Sequence, residues 1–355
     1  MKKIVVITLD ITQFGGTERA IQNFADMLHT YHEVLIYSIS SRKNDQSFFL
    51  FPENVKIVHF DKEKIPASIS KKIVWFYKVF KTLKKRLEKD KVDFILGTGH
   101  NINFLLPYLK SKKTKIFGAE HIDIDTIPKV SKLLMSISYP KLSGLIVLSE
   151  KAKLKARKLN SQIYVIPNVI KNKSYDLPNQ NYFKKIIMVG RISAEKGFDR
   201  IIPIAKYLQD YHSTWIIDIY GDGPSKNDFA ESLKSNNINN VNLKGVTKNI
   251  EEKYVESSIF MLTSYTEAMP MVVLEAKSYK LPVIAYRNEG TELLIENSVN
   301  GILVETEKEF VEGLKTLIEN KNDIISIFQK ASQEQLEKYS EEVITKQWDD
   351  LIESN

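Results

Sequence analysis

Two kinds of hydrophobic pattern alternate along the first half of the chain. Short runs rich in β-branched residues predict strands, and longer stretches with apolar residues at helical spacing, such as residues 17–31, predict helices between them. The predicted strands are residues 3–9, 33–39, 55–60, 92–97, 115–120, 144–149 and 162–167. Strands that alternate with helices in this order predict a parallel sheet with helices on both faces.

This alternation stops at residues 169–184, which are rich in Asn, Pro, Lys and Ser without periodicity and are typical of a linker. Further strands are predicted at residues 185–190, 214–221, 240–245, 258–263, 282–286 and 301–305. We therefore predict two doubly wound α/β domains, residues 1–168 and residues 185–335. The terminal helical segment, residues 336–355, is predicted to pack back toward the first domain.

Composition narrows the expected cellular compartment and the kinds of side-chain chemistry that are available. The chain has 355 residues, of which 43% are hydrophobic and 27% charged, and no apolar run is long enough to span a membrane. It contains no cysteine, which excludes disulfides and thiolate chemistry and is compatible with a reducing cytoplasm. Residues 1–14 start like a signal peptide, but Asp10 interrupts a short run, so we interpret them as a strand.

Charge divides unevenly between the two halves. Residues 1–168 hold 29 Lys and Arg against 15 Asp and Glu, a net charge of +14, whereas residues 169–355 hold 22 against 29, a net charge of −7. A basic first half favours a polyanionic partner there, with membrane phospholipid, a lipid-linked diphosphate and nucleic acid as candidates. A merely lysine-rich proteome is the other explanation.

Residues 71–91 concentrate this charge, with nine basic residues against two acidic ones. An apolar stripe runs along the same predicted helix, formed by Trp75, Phe76, Val79, Phe80 and Leu83. An aromatic face beside a lysine-rich face is typical of an interfacial membrane helix. A domain helix that buries the stripe in its own core has the same pattern, and both interpretations stay open.

Two basic residues follow a predicted strand end in the second half. The strand is predicted to end at Gly190 and a helix to begin near Gly197, with Arg191 and Lys196 between them. A glycine turn, two cations and a helix N-terminus together suit a diphosphate. Basic residues of an ordinary surface loop are the alternative.

A double glycine, Gly15 and Gly16, follows the first predicted strand and precedes Thr17, a candidate helix cap. Backbone amides there can approach a phosphate or a sugar without a Cβ in the way. The chain does not contain the dinucleotide fingerprint G-x-G-x-x-G.

Two histidines, His100 and His121, lie at predicted strand ends, where an imidazole can contact a sugar hydroxyl or serve a structural role. Asp123 and Asp125 follow His121 as an Asp-x-Asp pair, which in another context would bind a divalent ion. We expect no metal here.

Two glutamates eight positions apart, Glu267 and Glu275, flank Pro270 in the second half. Glu267 falls in the predicted turn and Glu275 in the predicted helix, with Pro270 in its first turn. An acid near a helix N-terminus and a solvated helix position are the ordinary explanations. The apolar residues around Glu275 instead favour a carboxylate that meets hydroxyl or amide donors.

These motifs together resemble the retaining glycosyltransferases of the GT-B fold often called family 4. The E-x7-E pattern is that family's signature, and the similarity extends to "FGGTERA", "VLSEKAK", "VGRISAEKGFDRII", "IYGDGP", "PVIA" and "VNGILV". The resemblance covers nearly the whole chain and implies two Rossmann-like domains that face a cleft.

The resemblance also implies roles for single residues. Glu267 would contact the donor sugar and Glu275 the ribose, while Arg191 and Lys196 would neutralise the leaving diphosphate. Gly16 would offer an amide to that diphosphate, His121 would contact the transferred sugar and His100 would lie on the acceptor side. The other implied donor-binding residues are Gly15, Gly190, Gly221, Ala268, Met269, Pro270, Met271 and Val272.

Two positions depart from the family pattern: Ala268 replaces a frequent glycine, and Leu293 stands where many members have a glutamate. The donor therefore stays open, with a UDP-hexose or UDP-N-acetylhexosamine expected as the commoner class. The expected acceptor is a saccharide or a lipid-linked saccharide of surface polysaccharide or glycolipid biosynthesis, used at the inner face of the cell membrane without a metal or other cofactor.

A nucleotide-sugar epimerase or a sugar phosphorylase on the same fold is the first alternative to this function. A non-catalytic nucleic-acid-binding protein is the second. The chain has no RNA-stacking motif and its second half is acidic, so we expect no nucleic-acid partner.

Overall fold

The computed structural model describes residues 1–40, 46–60, 66, 68–109, 113–171, 183–320 and 323–354. The chain divides into two compact units. The first unit comprises Met1–Val169 and Glu341–Asn355, and the second unit comprises Ile170–Ser340.

A seven-stranded parallel sheet forms the centre of the first unit, with the strand order β3-β2-β1-β4-β5-β6-β7. Its strands are β1 (Lys3–Thr8), β2 (Glu33–Ser38), β3 (Lys56–His59), β4 (Phe94–Thr98), β5 (Lys115–Ala119), β6 (Gly144–Val147) and β7 (Ile163–Val165). The helices are α1 (Gly16–Leu28), α2 (Ile69–Asp90), α3 (His100–Asn103), α4 (Lys129–Ser138), α5 (Glu150–Ala156) and α13 (Glu341–Ser354).

Both faces of this sheet are covered, because neighbouring strand residues point to opposite sides. Val5 and Ile7 pack into one apolar cluster with α2, whereas Ile4 and Val6 pack into another with α1 and α13. Strands buried on both faces are continuously apolar, which explains the short β-branched runs of the sequence.

The apolar stripe of helix α2 is buried. From the sequence, this stripe could face either a membrane or the core of its own domain. Trp75, Val79 and Leu83 are buried in the core of the first unit, and Phe76 and Phe80 pack partly against it. The interpretation of this stripe as a membrane-facing surface is therefore wrong. An amphipathic pattern shows that one helix face needs an apolar neighbour, and here the sheet is that neighbour.

A six-stranded parallel sheet forms the second unit, with the strand order β10-β9-β8-β11-β12-β13. Its strands are β8 (Lys185–Val189), β9 (Ile216–Tyr220), β10 (Val241–Gly245), β11 (Ile259–Leu262), β12 (Val283–Tyr286) and β13 (Ile302–Val304). The helices are α6 (Ile201–Tyr211), α7 (Lys226–Ser235), α8 (Ile250–Val255), α9 (Met271–Ser278), α10 (Glu289–Leu294), α11 (Glu307–Glu319) and α12 (Ile324–Leu336). All thirteen predicted strands are present in the described chain, and the α/β prediction is confirmed.

Helix α13 packs on the first unit through Ile344, Leu351 and Ile352, and the ring of Trp348 lies 4.8 Å from that of Phe24, centroid to centroid. The predicted boundary at residue 336 differs from the structure, where residues 336–340 belong to the second unit. Most of the predicted linker, residues 172–182, lies outside the described residues. Among the described helices, none is both long enough and apolar enough to cross a membrane.

Candidate active site

The carboxyl ends of β8 and β9 approach each other closely at two glycines. Gly190 follows β8 and Gly221 follows β9, and a Cβ on Gly221 would lie 1.8 Å from the carbonyl oxygen of Gly190. Gly190 also donates its amide to the carbonyl of Tyr220 at 3.0 Å. A side chain at position 221 therefore does not fit, and the two strand ends pack backbone against backbone at these glycines.

The connection after Gly190 differs from the predicted helix start. Two short 3-10 turns, Ala194–Lys196 and Phe198–Arg200, precede α6, which begins only at Ile201. Gly197 lies between the turns with φ of +64°, and a Cβ there would lie 2.2 Å from the carbonyl oxygen of Thr263. The helix predicted to begin near Gly197 is therefore α-helical only from Ile201, because the chain must first pass tightly against the end of β11.

The close packing of Gly197 against Thr263 brings the side chain of Lys196 into contact with that of Glu267. The Lys196 Nζ atom lies 2.7 Å from Glu267 Oε1, and Ser264 Oγ donates to the same oxygen at 2.7 Å. The side chain of Glu267 is 11% exposed and that of Lys196 is 26% exposed. Two residues 71 positions apart in sequence thus form a charged pair at the end of the second sheet.

Arg191 lies directly after Gly190 and is exposed. Within the described part of the chain, no carboxylate lies within 4.0 Å of its guanidinium as an ion-pair partner. Among the described residues, its charge therefore has no carboxylate partner at contact distance. An exposed cation at a strand end is suited to an anionic ligand.

Arg200 fixes the loop that carries Glu267. Its guanidinium lies 3.8 Å from the ring centroid of Tyr265 and 4.0 Å from that of Tyr286, and Nη1 donates to the Thr263 carbonyl at 3.2 Å. Cation–π contacts on two rings restrict the loop between β11 and α9. Sequence reasoning missed Arg200, although "GFDRII" places it four residues after Lys196.

Helix α9 carries Glu275 and is largely buried. Pro270 is the N-cap residue rather than the first helical residue, and Met271 begins the helix. Met269 and Met271 are buried, whereas Ala268 and Val272 are partly exposed beside Glu267 in the chain. Glu275 Oε2 accepts a hydrogen bond from the Tyr254 hydroxyl at 2.9 Å, so its carboxylate has the hydroxyl donor expected from its apolar neighbours.

In the first unit, the double glycine forms the start of α1. Gly15 rather than Thr17 is the N-cap residue, and its amide donates to Glu18 Oε2 at 3.0 Å. The predicted cap is therefore wrong, because the Glu18 carboxylate reaches back to the chain before the helix. Around Gly16, a Cβ would meet no atom of the described residues within 4 Å apart from its own helix backbone and chain neighbours, so its surroundings there are open.

A buried acid, Glu120, lies beside His100. It accepts hydrogen bonds at Oε1 from the Tyr139 hydroxyl and from Asn103 Nδ2, the latter at 2.9 Å. His100 Nδ1 lies 4.0 Å from Glu120 Oε2. Burial raises the pKa of Glu120 to about 7 and lowers that of His100. Sequence reasoning missed Glu120, whose signal was an acid at the end of an apolar strand.

His121 follows Glu120 and is partly exposed, with a buried Nδ1 atom that has no hydrogen-bond partner among the described residues. Burial lowers its pKa to about 4, so the imidazole is neutral at pH 7. Lys155 Nζ lies 2.8 Å from Asp123 Oδ1 and 2.7 Å from Asp125 Oδ2. An ammonium group thus holds the Asp-x-Asp pair, and within the described residues no cluster of three or more metal-ligating side chains occurs.

The second unit, which carries this arrangement of strand ends, is similar to a known family. Residues 170–343, which include the whole site of the second unit, match the family Glycosyl transferases group 1. The protein is a glycosyltransferase.

Relatives of this glycosyltransferase are similar over most of its length. A Haemophilus influenzae protein described as an uncharacterized glycosyltransferase is 29% identical over 99% of this chain and all of its own. A Campylobacter jejuni alpha-1,4-N-acetyl-D-galactosaminyltransferase, named for a GalNAc-containing saccharide on PP-undecaprenol, is 26% identical over 89% of this chain and 88% of its own.

The fold is that of solved glycosyltransferases. A crystal structure of S. aureus TarM in complex with Fondaparinux, alpha-GlcNAc-glycerol and UDP matches with a TM-score of 0.83 at 17% identity, covering 99% of this chain and all of TarM. The two Rossmann-like parallel sheets of this glycosyltransferase are therefore those of the GT-B fold.

Helix α9 of the glycosyltransferase also carries a fully buried lysine, Lys277, whose Nζ donates to the Leu294 carbonyl at 2.5 Å and to Gln335 Oε1 at 2.8 Å. Burial lowers the pKa of Lys277 from 10.5 to about 7. Between these pH values the folded protein binds fewer protons than the unfolded chain. The free energy of unfolding should therefore rise with pH from about 7 to about 10.

We expect Lys277→Met to flatten that rise, by up to about 1.4 kcal/mol per pH unit, in chemical denaturation measured across this range. Lys330→Met, at an exposed position of the same unit, is the control and should keep the wild-type slope. Equal slopes in the Lys277→Met variant and the wild type would contradict a buried, titrating lysine.

Proposed function

We propose that the protein is a retaining, metal-independent glycosyltransferase that moves a hexose or an N-acetylhexosamine from a UDP-sugar to a saccharide or lipid-linked saccharide. The observation that carries the proposal is the Lys196–Glu267 pair at the end of the second sheet, with the exposed guanidinium of Arg191 beside it in the chain. In open parallel sheets, ligands bind at the carboxyl ends of the strands.

The two cations stabilise the leaving group. When the anomeric C–O bond breaks, its electron pair stays on the diphosphate, which gains negative charge. Fixed positive groups stabilise this charge more in the transition state than in the ground state, and they do so best when other contacts hold them in place. Lys196 is held by Glu267, and Arg191 follows the rigid turn at Gly190.

We assign Glu267 and Glu275 to binding of the donor and not to nucleophilic attack on the sugar. Glu267 accepts from Lys196 and Ser264 through Oε1, and we assign its second oxygen to the hydroxyls of the donor sugar. Glu275, which accepts from Tyr254, takes the ribose hydroxyls. The amides around Met269 and Met271 support the sugar, and Gly190, Gly221, Ala268, Pro270 and Val272 shape the same edge.

The first unit supplies further groups, which we assign to the transferred sugar, the diphosphate and the acceptor. His121 stays neutral at pH 7, so its imidazole can donate to a hydroxyl of the transferred sugar without carrying a charge of its own. Gly16 offers its amide to the diphosphate, as its open surroundings allow, and Gly15 shapes the turn before it. His100, supported by Glu120, contacts the acceptor.

Retention follows from attack on the face that the diphosphate leaves. The acceptor oxygen forms the new bond to the anomeric carbon while the old C–O bond breaks, and the acceptor proton passes to an oxygen of the leaving diphosphate. This route needs no carboxylate nucleophile, in contrast to retaining glycosidases. The alpha linkages in the names of the C. jejuni relative and of the TarM complex support a retaining reaction with an alpha-linked donor.

The substrate class rests on the relatives. UDP is the nucleotide in the TarM complex, and the C. jejuni enzyme is named for an acceptor on PP-undecaprenol. The TarM complex supports a UDP-sugar donor, and the name of the C. jejuni enzyme supports a role in surface polysaccharide or glycolipid biosynthesis. The net charge of +14 over residues 1–168 supports peripheral attachment at an anionic inner membrane face, where such acceptors would be met.

A panel of nucleotide sugars tests this proposal through release of the nucleoside diphosphate, with and without EDTA. We expect release from a UDP-sugar, slow without acceptor and unchanged by EDTA, because Arg191 and Lys196 carry the charge and Lys155 holds Asp123 and Asp125. Loss of activity in EDTA would show that a metal is needed, and epimerisation without acceptor would favour an epimerase.

A further inference from the structure

Helix α4 shows an apolar stripe on its outer side. Val130, Leu133, Leu134 and Ile137 are 72%, 63%, 42% and 53% exposed, and their spacing of three and four residues places them on one face of the helix. Met135 is buried in the core of the first unit and anchors the opposite face. Single exposed apolar residues are ordinary, but a stripe of four on a ten-residue helix indicates a surface that is covered in use.

The charged residues of helix α4 are all basic, and the nearby carboxylate of Asp125 is paired with Lys155. Helix α4 contains Lys129 and Lys132 and no acidic residue, and Lys141, which follows it, is exposed with its Nζ over the ring of Tyr108. These lysines lie in the half of the chain with a net charge of +14. A helix with an apolar face and lysines beside it is suited to the interface of an anionic bilayer.

A second copy of the chain fits this stripe less well. The helix is about 15 Å long, and four side chains cover a small part of the ~800 Å² that each partner of a stable interface buries. Two copies would also bring lysine-rich surfaces of equal sign together, which opposes association. A bilayer has neither difficulty, because it is a continuous apolar phase with anionic headgroups at its edge.

The stripe also lies close in the chain to His121, which we assigned to the transferred sugar. Residues 122–128 connect His121 to the start of α4, and Ile122 in this connection is 40% exposed. We propose that Val130, Leu133, Leu134 and Ile137 insert into the headgroup region of an anionic membrane, so that a lipid-linked saccharide is met near His121. The proposal rests on the proposed function only for the nature of that acceptor.

The absence of cysteine from the chain permits a direct test with single labels. Leu133→Cys and Ile137→Cys, each carrying an environment-sensitive fluorophore in the full-length protein, should shift their emission to the blue with phosphatidylglycerol-containing vesicles. Ile327→Cys, at a position of the second unit that is 54% exposed, is the matched control and should not shift. Leu133→Glu should lower the vesicle-bound fraction by at least about tenfold.

Several outcomes would overturn the inference. These are no shift at positions 133 and 137, an equal shift at position 327, or an equal shift with phosphatidylcholine alone. A shift that grows with protein concentration in the absence of vesicles would assign the stripe to a second copy instead. UDP release with a water-soluble acceptor, measured on the same variants, separates this test from the proposed function, since vesicle binding can hold or fail whatever that assay gives.

Discussion

Arg191→Ala should lower the turnover number by about 100- to 1000-fold and leave the free energy of unfolding nearly unchanged. The reason is that Arg191 is exposed and has no ion-pair partner within the described residues, so its removal strands no buried charge. Its whole effect is then expected on the leaving diphosphate. Steady-state release of UDP and denaturant unfolding measure the two quantities separately.

Lys196→Ala should lower turnover by a similar factor and also destabilise the fold, by about 1–3 kcal/mol, because Glu267 loses its partner while only 11% of its side chain is exposed. The double variant Lys196→Met, Glu267→Gln should recover stability but not turnover. Wild-type turnover in Arg191→Ala and Lys196→Ala would refute the assigned leaving-group site.

Gly290→Ala should lower turnover by about 100-fold, although residue 290 touches no proposed substrate group. A Cβ at this position would lie 2.6 Å from the carbonyl oxygen of Glu267 and 2.7 Å from its Cβ. The start of α10 is also fixed to this loop, since Asn288 Nδ2 donates to the Ser264 carbonyl at 3.1 Å. Glu267 must therefore move, and a misplacement of about 1 Å at a catalytic group costs about two orders of magnitude in rate.

A matched control for this substitution is Gly313→Ala in α11 of the same unit. There the three nearest atoms to the Cβ would be side-chain methyl carbons of Ile284 and Ile302, the closest at 3.0 Å, and side chains can adjust where a backbone carbonyl cannot. We expect Gly313→Ala to keep wild-type turnover and Gly290→Ala to lose about 1–3 kcal/mol of unfolding free energy besides its activity. Full activity in Gly290→Ala would show that Glu267 is not held as tightly as the contacts indicate.

The strands were predictable because burial on both faces of a parallel sheet leaves a local mark, a continuous apolar run. Sequence order also placed Gly190, Arg191 and Glu267 at strand ends, which is where the structure has them. Two helix starts differ from the prediction. Gly15 rather than Thr17 caps α1, and α6 begins four residues after Gly197, since both depend on contacts with distant parts of the chain.

The partners of the site residues could not be read from the sequence. Tyr254 is 21 positions from Glu275 and Lys155 is 32 positions from Asp123, and only the packing of α8 on α9 and of α5 beside the Asp-x-Asp turn brings them within hydrogen-bond distance. Glu120 is a related case, because burial raises its pKa and the hydrogen bonds from Tyr139 and Asn103 offset this only in part.

The sequence by itself determined the two α/β units, the strand ends that carry the candidate site and the basic character of the first half. Only the tertiary structure decided which apolar stripe faces the core and which faces solvent. Helix α2 and helix α4 both have an apolar stripe with lysines beside it, yet the stripe through Trp75 is buried on the sheet and the one through Leu133 is exposed. A pattern shows that a face is apolar, whereas what covers that face depends on the rest of the fold.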